Sequence, residues 1–426
     1  MNVYEAARER LSFIFQEFDN IFVSFSGGKD SSTLLNLCID HIRKNRLERK
    51  IGVFHIDYEA QYRLTTEFVD KTLSENLDII DPYRVCMPLR VRCATSMFQS
   101  YWTPWEKEKR DIWVRELPPD SYNEDNHSFD FFEHGMSDDE MQENFCFWYH
   151  RRMNATRTCA LIGIRTQESL NRWRAIHSTR NYRLYKGMRW TRDLGGGVYN
   201  AYPIFDWTAE DIWVANGRFH WDYNQLYDRF YQAGLAVDKM RVASPFNDWA
   251  TESLKLYRVI DPNNWAKMVG RVNGVNFTGI YGGTTAMGWR NIKLPEGHSW
   301  KSYLEFLLST LPEATRNSYL TKLQTSIKFW REKGGVLSEN TIHSLQESGV
   351  DVDAGGISAY KTDKRPVKMD YIDDIDLDEF QYIPTYKRMC ICVMKNDHLC
   401  KYMGFALTKS ERDRRKKVME KYIDML

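Results

Sequence analysis

The stretch Ser24-Phe25-Ser26-Gly27-Gly28-Lys29-Asp30-Ser31-Ser32 lies between two apolar runs of different character. Before it, Ile21-Phe22-Val23 reads as a short buried parallel strand. After it, Thr33-Leu34-Leu35-Asn36-Leu37-Cys38-Ile39 reads as an apolar helix. The paired glycines therefore occupy a strand-to-helix turn at the mouth of a sheet, where α/β proteins bind ligands. Adjacent glycines let the backbone approach a ligand closely, and a helix start offers N–H groups at the positive end of its dipole. Lys29 adds a mobile cation, Asp30 a contact for magnesium or water, and Ser24, Ser26 and Ser31 add hydroxyls. All of this describes a phosphate cradle; the bland alternative is a serine-glycine turn that merely caps a helix.

The loop is not a Walker A motif, which needs four residues between its first glycine and the Gly-Lys pair. Its order, Ser-Gly-Gly-Lys-Asp-Ser, resembles the PP-loop of the ATP pyrophosphatase superfamily. Members of that superfamily grip the β/γ pyrophosphate of ATP while the α-phosphorus is attacked. The resemblance implies an adenine nucleotide alpha hydrolase-like fold, ATP and magnesium as ligands, and an adenylylated product with pyrophosphate.

The chain has 426 residues, enough for two or three domains. Its 42% hydrophobic and 27% charged content is that of an ordinary globular protein, and its aromatic content is high at 14%. A net charge of +1 gives no global attraction to nucleic acid or to a membrane, so any such effect must come from local patches. No apolar run has membrane-spanning length and no signal-peptide pattern follows Met1. Eight cysteines spread over this length do not form a disulfide framework, so a reducing cytoplasm is the expected compartment.

Apolar positions at helical spacing make Val3 to Phe18 a helix. After the loop helix, Ile51-Gly52-Val53-Phe54-His55-Ile56-Asp57 is a second buried strand ending in an acid. A helix over roughly 61–76 and a third strand near 79–86 follow. Strands alternating with helices predict a doubly wound, mostly parallel sheet. Asp57 then falls on the same rim as the loop, either as a nucleotide or magnesium contact or as a helix N-cap. Residues 87–150 break the rhythm with interleaved aromatic and charged side chains. They read as an insertion covering the substrate side of the sheet, with a helix starting at Ser137-Asp138-Asp139-Glu140.

A second motif is Gly163-Ile164-Arg165-Thr166-Gln167-Glu168-Ser169-Leu170-Asn171-Arg172, opening a helix after the strand Thr158–Ile162. It resembles the Gly-x-Arg-x-x-Glu-Ser-x-x-Arg signature of phosphoadenylylsulfate (PAPS) reductases, whose arginines face the nucleotide or its acidic substrate. Arg165 and Arg172 have the planar fork suited to phosphate or sulfate oxygens, and Glu168 can orient an arginine or a magnesium ion. Tyr202-Pro203-Ile204-Phe205-Asp206-Trp207 resembles the family's closing turn, with Thr208 and Asp211 as a capping pair. Between Arg151 and Arg192 stand ten arginines and Lys186 against the single acid Glu168, interleaved with Trp173, Tyr182, Tyr185 and Trp190. Such a surface suits a second polyanion, either nucleic acid (tRNA or DNA) or an acidic or sulfur-containing small substrate.

The domain reading is a nucleotide-binding domain over 1–234, a helical domain over 235–349, and a linker with a cysteine-containing basic tail over 350–426. The tail ends in a helix, Ser410 to Leu426, rich in lysine and arginine. Cys390, Cys392, His398 and Cys400 offer four zinc ligands, although Cys-x-Cys spacing places neighbouring thiols awkwardly. The Glu-Cys-Gly-x-His-type motif of true PAPS reductases is absent, so PAPS reduction is not expected. The whole chain resembles a bacterial PAPS-reductase-like branch that includes the immunoglobulin-binding regulator co-activator, which implies a ParB-like protein partner. Two functions follow: an ATP-cleaving adenylyl-transferring enzyme with Lys29, Asp30 and Arg165 at its centre, or a nucleotide-gated regulatory or nucleic-acid-binding protein.

Overall fold

The computed structural model describes residues 2–168, 170–177, 183–237, 240–242, 244–247, 250–281, 294–355, 364–377 and 380–405. The basic helix expected over 410–426 lies outside them. The described residues form two compact units. One runs to Val91 and from Trp102 to Arg271; the other takes Arg92–Tyr101 and continues from Val272.

In the first unit, α1 (Val3–Glu17) leads into β1 (Asn20–Ser24), then α2 (Lys29–Asn45), β2 (Ile51–Ile56), α3 (Arg63–Ser74) and β3 (Ile80–Cys86). The short strands β4 (Val91–Arg92) and β5 (Tyr101–Trp102) flank the excursion into the second unit. There follow β6 (Tyr122–Asn123), α4 (Asp138–Arg152), β7 (Thr158–Ile162), α5 (Leu170–His177), β8 (Thr191–Gly195) and β9 (Val198–Ala201). The unit closes with α6 (Ala209–Phe219), α7 (Leu226–Gln232), the single turns α8 (Thr251–Leu254) and α9 (Tyr257–Ile260), and α10 (Pro262–Arg271).

Seven strands make one sheet in the order β6-β3-β2-β1-β7-β9-β8. Every neighbouring pair is parallel except the β8–β9 hairpin. From β1 the chain winds outward through β2 and β3 to one edge. It then returns to place β7 on the other side of β1, with Ile21 opposite Cys159. The direction of winding thus reverses between β1 and β7, the position at which open α/β sheets build their ligand crevice.

Alternation along each strand sorts the core into two faces. Ile21, Val23, Val53 and Leu161 join Leu11, Ile14, Leu34, Leu35, Val69 and Ile212 in one buried cluster. On the other face Phe54 stacks on Phe145 of α4, with ring centroids 4.1 Å apart, and Tyr149 meets Phe22 edge-on. Much of the aromatic content of 87–150 is therefore core: Phe131, Phe145, Phe147, Trp148 and Tyr149 are all buried. Ser137 starts α4 through a reciprocal capping box with Glu140.

The second unit contains α11 (Val275–Tyr281), α12 (Trp300–Ser309), α13 (Glu313–Glu332), α14 (Glu339–Glu347) and α15 (Tyr386–Met394). It also contains a small antiparallel sheet, β10 (Gly335–Leu337), β12 (Arg365–Met369) and β11 (Val352–Asp353), in that order. Two of its strands fall where the sequence suggested a linker, because Val352, Val367 and Met369 close over Leu337, Ile342 and Leu345. Among the described residues no helix is long and apolar enough to cross a membrane.

Candidate nucleotide site

The loop after β1 has the shape that its glycines require. Gly27 sits at φ +74°, and a Cβ there would stand 2.9 Å from Val69 Cγ2 of α3, so no other residue fits without strain. Ser31 Oγ accepts from the Ser26 N–H at 3.1 Å and donates to the Gly28 carbonyl at 3.1 Å, fastening the loop to the first turn of α2. Ser32 Oγ also donates to the Gly28 carbonyl, at 2.8 Å. Gly28 is the N-cap of α2 and has no side chain to occupy the helix start. Ser24 ends β1 and accepts a hydrogen bond from Gln142 of α4.

Lys29 differs from the mobile cation that the sequence suggested. It is buried, its Nζ lies 3.5 Å from Asp30 Oδ2, and it donates to the Met240 carbonyl at 3.5 Å. Desolvation lowers its pKa; Asp30 opposes the shift, while the positive charges of Arg165 and Arg241 add to it. The Lys29 backbone N–H donates to the hydroxyl of Tyr227 at 3.0 Å. Asn224, just before α7, donates to the Gly27 carbonyl at 3.1 Å and to Thr65 Oγ1 at 3.0 Å.

The motif after β7 stands beside this loop across the winding reversal. Gly163 is the point of closest approach, since a Cβ there would stand 3.0 Å from the Asp30 carbonyl carbon and 3.1 Å from the Ser31 nitrogen. Arg165, also buried, donates from Nε to Asp30 Oδ1 at 2.5 Å and from NH1 to Gln167 Oε1 at 3.3 Å. Glu168 lies between Arg165 and Arg172, paired with both. Burial lowers the Arg172 pKa. The Tyr202–Trp207 turn holds the motif in place: the Phe205 carbonyl accepts from both the backbone and the hydroxyl of Thr166. Asp206 itself is tied to α1 by a bidentate pair with Arg10, and Thr208 caps α6 with Asp211.

Asp57 is on the rim but faces inward. Its carboxylate is shared by Arg84 and Arg115, and it also accepts from the Glu59 N–H. Burial alone would raise its pKa; the two guanidinium groups hold it far below the usual carboxylate range. Next to it Glu59, buried at φ +65°, accepts from the backbone of Trp105 and Val114 and from Arg271 of α10. These two acids lock the rim, and each Asp57 carboxylate oxygen is held by a guanidinium group.

Within the basic run from Arg151 to Arg192, Arg151 pairs with Asp130, and Arg157 and Lys186 pair with Glu17. One further expectation needs correction. The zinc set does not converge. Cys390 and Cys392 lie on α15, two residues apart and so on opposed faces. Cys390 Sγ donates to the Trp300 carbonyl, Cys392 Sγ lies 3.7 Å from Asp397, and His398 Nε2 lies 2.9 Å from the Ser96 carbonyl. Cys400 shares a hydrogen bond with Cys392 alone of the set. Among the described residues no three His, Cys, Asp or Glu side chains could hold a metal ion together.

With this geometry in place, comparisons with known proteins identify the lineage. The family model of the phosphoadenosine phosphosulfate reductase domain matches residues 20–93 and 122–233, and a domain of unknown function (DUF3440) matches 234–414. The uncharacterized protein YbdN of Escherichia coli (strain K12) is 33% identical over 419 residues, 97% of this chain and 93% of that protein. The chain belongs to the PAPS-reductase-like family of PP-loop proteins. The mostly parallel, doubly wound sheet, with a largely helical C-terminal region, is the architecture that the strand–helix rhythm of the sequence predicts.

Solved structures align only loosely with this family member. The PAPS reductase of Candida auris, in a phosphate complex, is 14% identical and covers 53% of this chain and 84% of its own, with a TM-score of 0.30. Candida glabrata FMN adenylyltransferase in complex with ATP is 14% identical over 53% of this chain and 57% of its own, with a TM-score of 0.31. The U34-tRNA thiolase NcsA of Methanococcus maripaludis, with its [4Fe-4S] cluster, is 10% identical over 64% of this chain and 78% of its own, also at 0.31.

Sequence reasoning missed Asn224, Tyr227, Arg84, Arg115 and Arg271. The partners of the first two lie almost two hundred residues away in the chain, and no local spacing announces them.

Proposed function

We propose that the protein cleaves ATP to AMP and pyrophosphate, passing the adenylyl group to an acceptor nucleophile. The acceptor attacks the α-phosphorus, the bond to the α,β-bridging oxygen breaks, and pyrophosphate leaves with that electron pair. The observation carrying this reading is the Ser26–Ser31 loop at the winding reversal, with Gly27 forced to positive φ and Gly28 leaving the start of α2 uncapped. Backbone amides of this turn, Lys29 and the Ser26 and Ser31 hydroxyls would cradle the leaving pyrophosphate. Arg165 acts as a positioning residue here: its Nε bond to Asp30 fixes the helix start, while Glu168 aligns Arg172 toward the α-phosphate or the acceptor.

Asp30 already faces Arg165 and Lys29, and among the described residues no cluster of acids offers magnesium a cage. The ion would arrive on the triphosphate, as is usual for a cation that keeps its waters and binds mainly through substrate phosphates. Reduction of PAPS is disfavoured by chemistry as well as by motif. All eight cysteines are buried, and desolvation pushes Cys146 and Cys390 up to about 12, whereas a reductant needs an accessible thiolate.

A nucleotide-gated regulator is favoured by one observation: Tyr227 and Met240 hold the two groups of Lys29 that a phosphate would take. Incubation with magnesium and α-labelled ATP, with and without tRNA or DNA, separates the readings. AMP and pyrophosphate formation, abolished by Lys29→Ala with the fold intact by circular dichroism, supports adenylyl transfer. ATP binding without turnover moves the assignment to the regulator, and pyrophosphate release undiminished in Lys29→Ala overturns the role of the loop.

A further inference from the structure

Residues beyond the shared reductase domain reach the cradle. The Met240 carbonyl lies 3.5 Å from Lys29 Nζ, and Val242 Cβ is 3.8 Å from where a Cβ on Gly28 would stand. Between them in sequence, Arg241 lines a small pocket together with Gln61, Tyr62, Thr65 and Tyr257. Thr65 is also the residue whose methyl group packs toward Gly27. Arg241 is close enough for its charge to act on Lys29, Arg172 and Tyr227 alike.

Compensation around this cradle is uneven. Asp30 is shared by Lys29 and Arg165, and Glu168 by Arg165 and Arg172. Arg241 forms no ion pair among the described residues, so the fourth cation of the cluster is the one without an acid. Also lining the pocket, Gln61 is 4% exposed, and its Oε1 is a buried acceptor without a partner. A buried acceptor of this kind calls for a donor, and it would repel a phosphate oxygen. The pocket is therefore polarised, with an anion's place at Arg241 and an amine's or hydroxyl's at Gln61.

Resting on the nucleotide reading above, we propose that Arg241 is a phosphate-binding residue, supplied by the 234–414 region to hold the β/γ end of a nucleoside triphosphate. Its fork would take oxygens that the loop amides leave free, in a partly desolvated setting where charge-assisted hydrogen bonds are strong.

The test is titration calorimetry of the full chain with inorganic pyrophosphate and, separately, with AMP. Arg241→Ala should weaken pyrophosphate binding by about tenfold or more, the loss expected for one charge-assisted hydrogen bond, while AMP binding changes less than about twofold. Arg241→Lys should recover part of the loss, since it keeps the charge without the fork. Thermal melts of both variants check folding, and Arg241→Gln replaces Arg241→Ala if the latter does not fold. Equal pyrophosphate affinity in wild type and Arg241→Ala, or parallel loss of pyrophosphate and AMP, overturns this assignment alone. A wild-type chain that binds neither pyrophosphate nor ATP overturns the nucleotide reading with it.

Discussion

His55 shows how tightly the floor of the loop is built. It lies on β2, fully buried, with Nδ1 2.8 Å from the Phe25 carbonyl. A carbonyl only accepts, so Nδ1 carries a proton, and burial keeps the ring neutral near pH 7. Desolvation drives its pKa down to about 4; Asp57 opposes the shift, and Arg84 and Arg115 reinforce it. In the unfolded chain the same ring titrates near 6.5. Above that pH both states are neutral and nothing is lost; below it the unfolded state takes a proton that the folded state refuses. Stability should therefore fall between about pH 6.5 and 4, by roughly 3 kcal/mol in full, and flatten below as the folded ring also protonates. His55→Asn keeps a donor near the Nδ1 position but cannot titrate. Urea midpoints at pH 7 and 4.5 should differ less in His55→Asn than in the wild type; equal differences would show that another group governs this range.

At the scale of elements, the pieces legible in the sequence are those whose cause is local. The β1 loop, the caps at Ser137 and Thr208, and the apolar rhythm of α1 to β3 each declare themselves within a few residues. What stayed hidden depends on which distant element arrives. Within the basic run, Arg151, Arg157 and Lys186 read as uncompensated charge because Asp130 and Glu17 lie outside that run. The Cys-x-Cys pair suggested a metal until α15 set its thiols on opposed faces. Helix α7 belongs to this hidden class: it brings Tyr227 to the Lys29 amide, where a helix start would otherwise greet a phosphate oxygen. Tyr227→Phe removes that competing acceptor and leaves a backbone donor unpaired, which costs about 1 kcal/mol or more. The variant should melt at a lower temperature yet bind ATP several-fold more tightly, as read by calorimetry. Weaker ATP binding would instead make the phenol a contact of the nucleotide.

For the molecule as a whole, the boundary between family domains and the boundary between compact units differ, and the difference has consequences. The reductase domain match ends at residue 233, close to the 234 suggested by the loss of strand–helix rhythm, whereas the first compact unit continues to Arg271. The reason is electrostatic as much as apolar. Arg271 is the charged partner of Glu59, which lies fully buried beneath the rim with Trp105 and Val114 donating their backbone N–H groups. Removing one member of a buried ion pair costs about 3–5 kcal/mol, because the other charge is left without compensation in a dry site. A chain ended after Ala233 strands Glu59 in that way and also strips Met240 from Lys29; a chain ended after Arg271 keeps both. The chain ended after Arg271 should unfold at the higher urea concentration and be more stable by at least about 3 kcal/mol. In the full chain, Arg271→Met should destabilise by a similar amount, and adding Glu59→Gln should recover much of it by removing the stranded charge. If the two truncations unfold together and Arg271→Met is silent, the region after 233 is an appendage. If they separate as expected, the nucleotide fold of this family extends into the domain of unknown function.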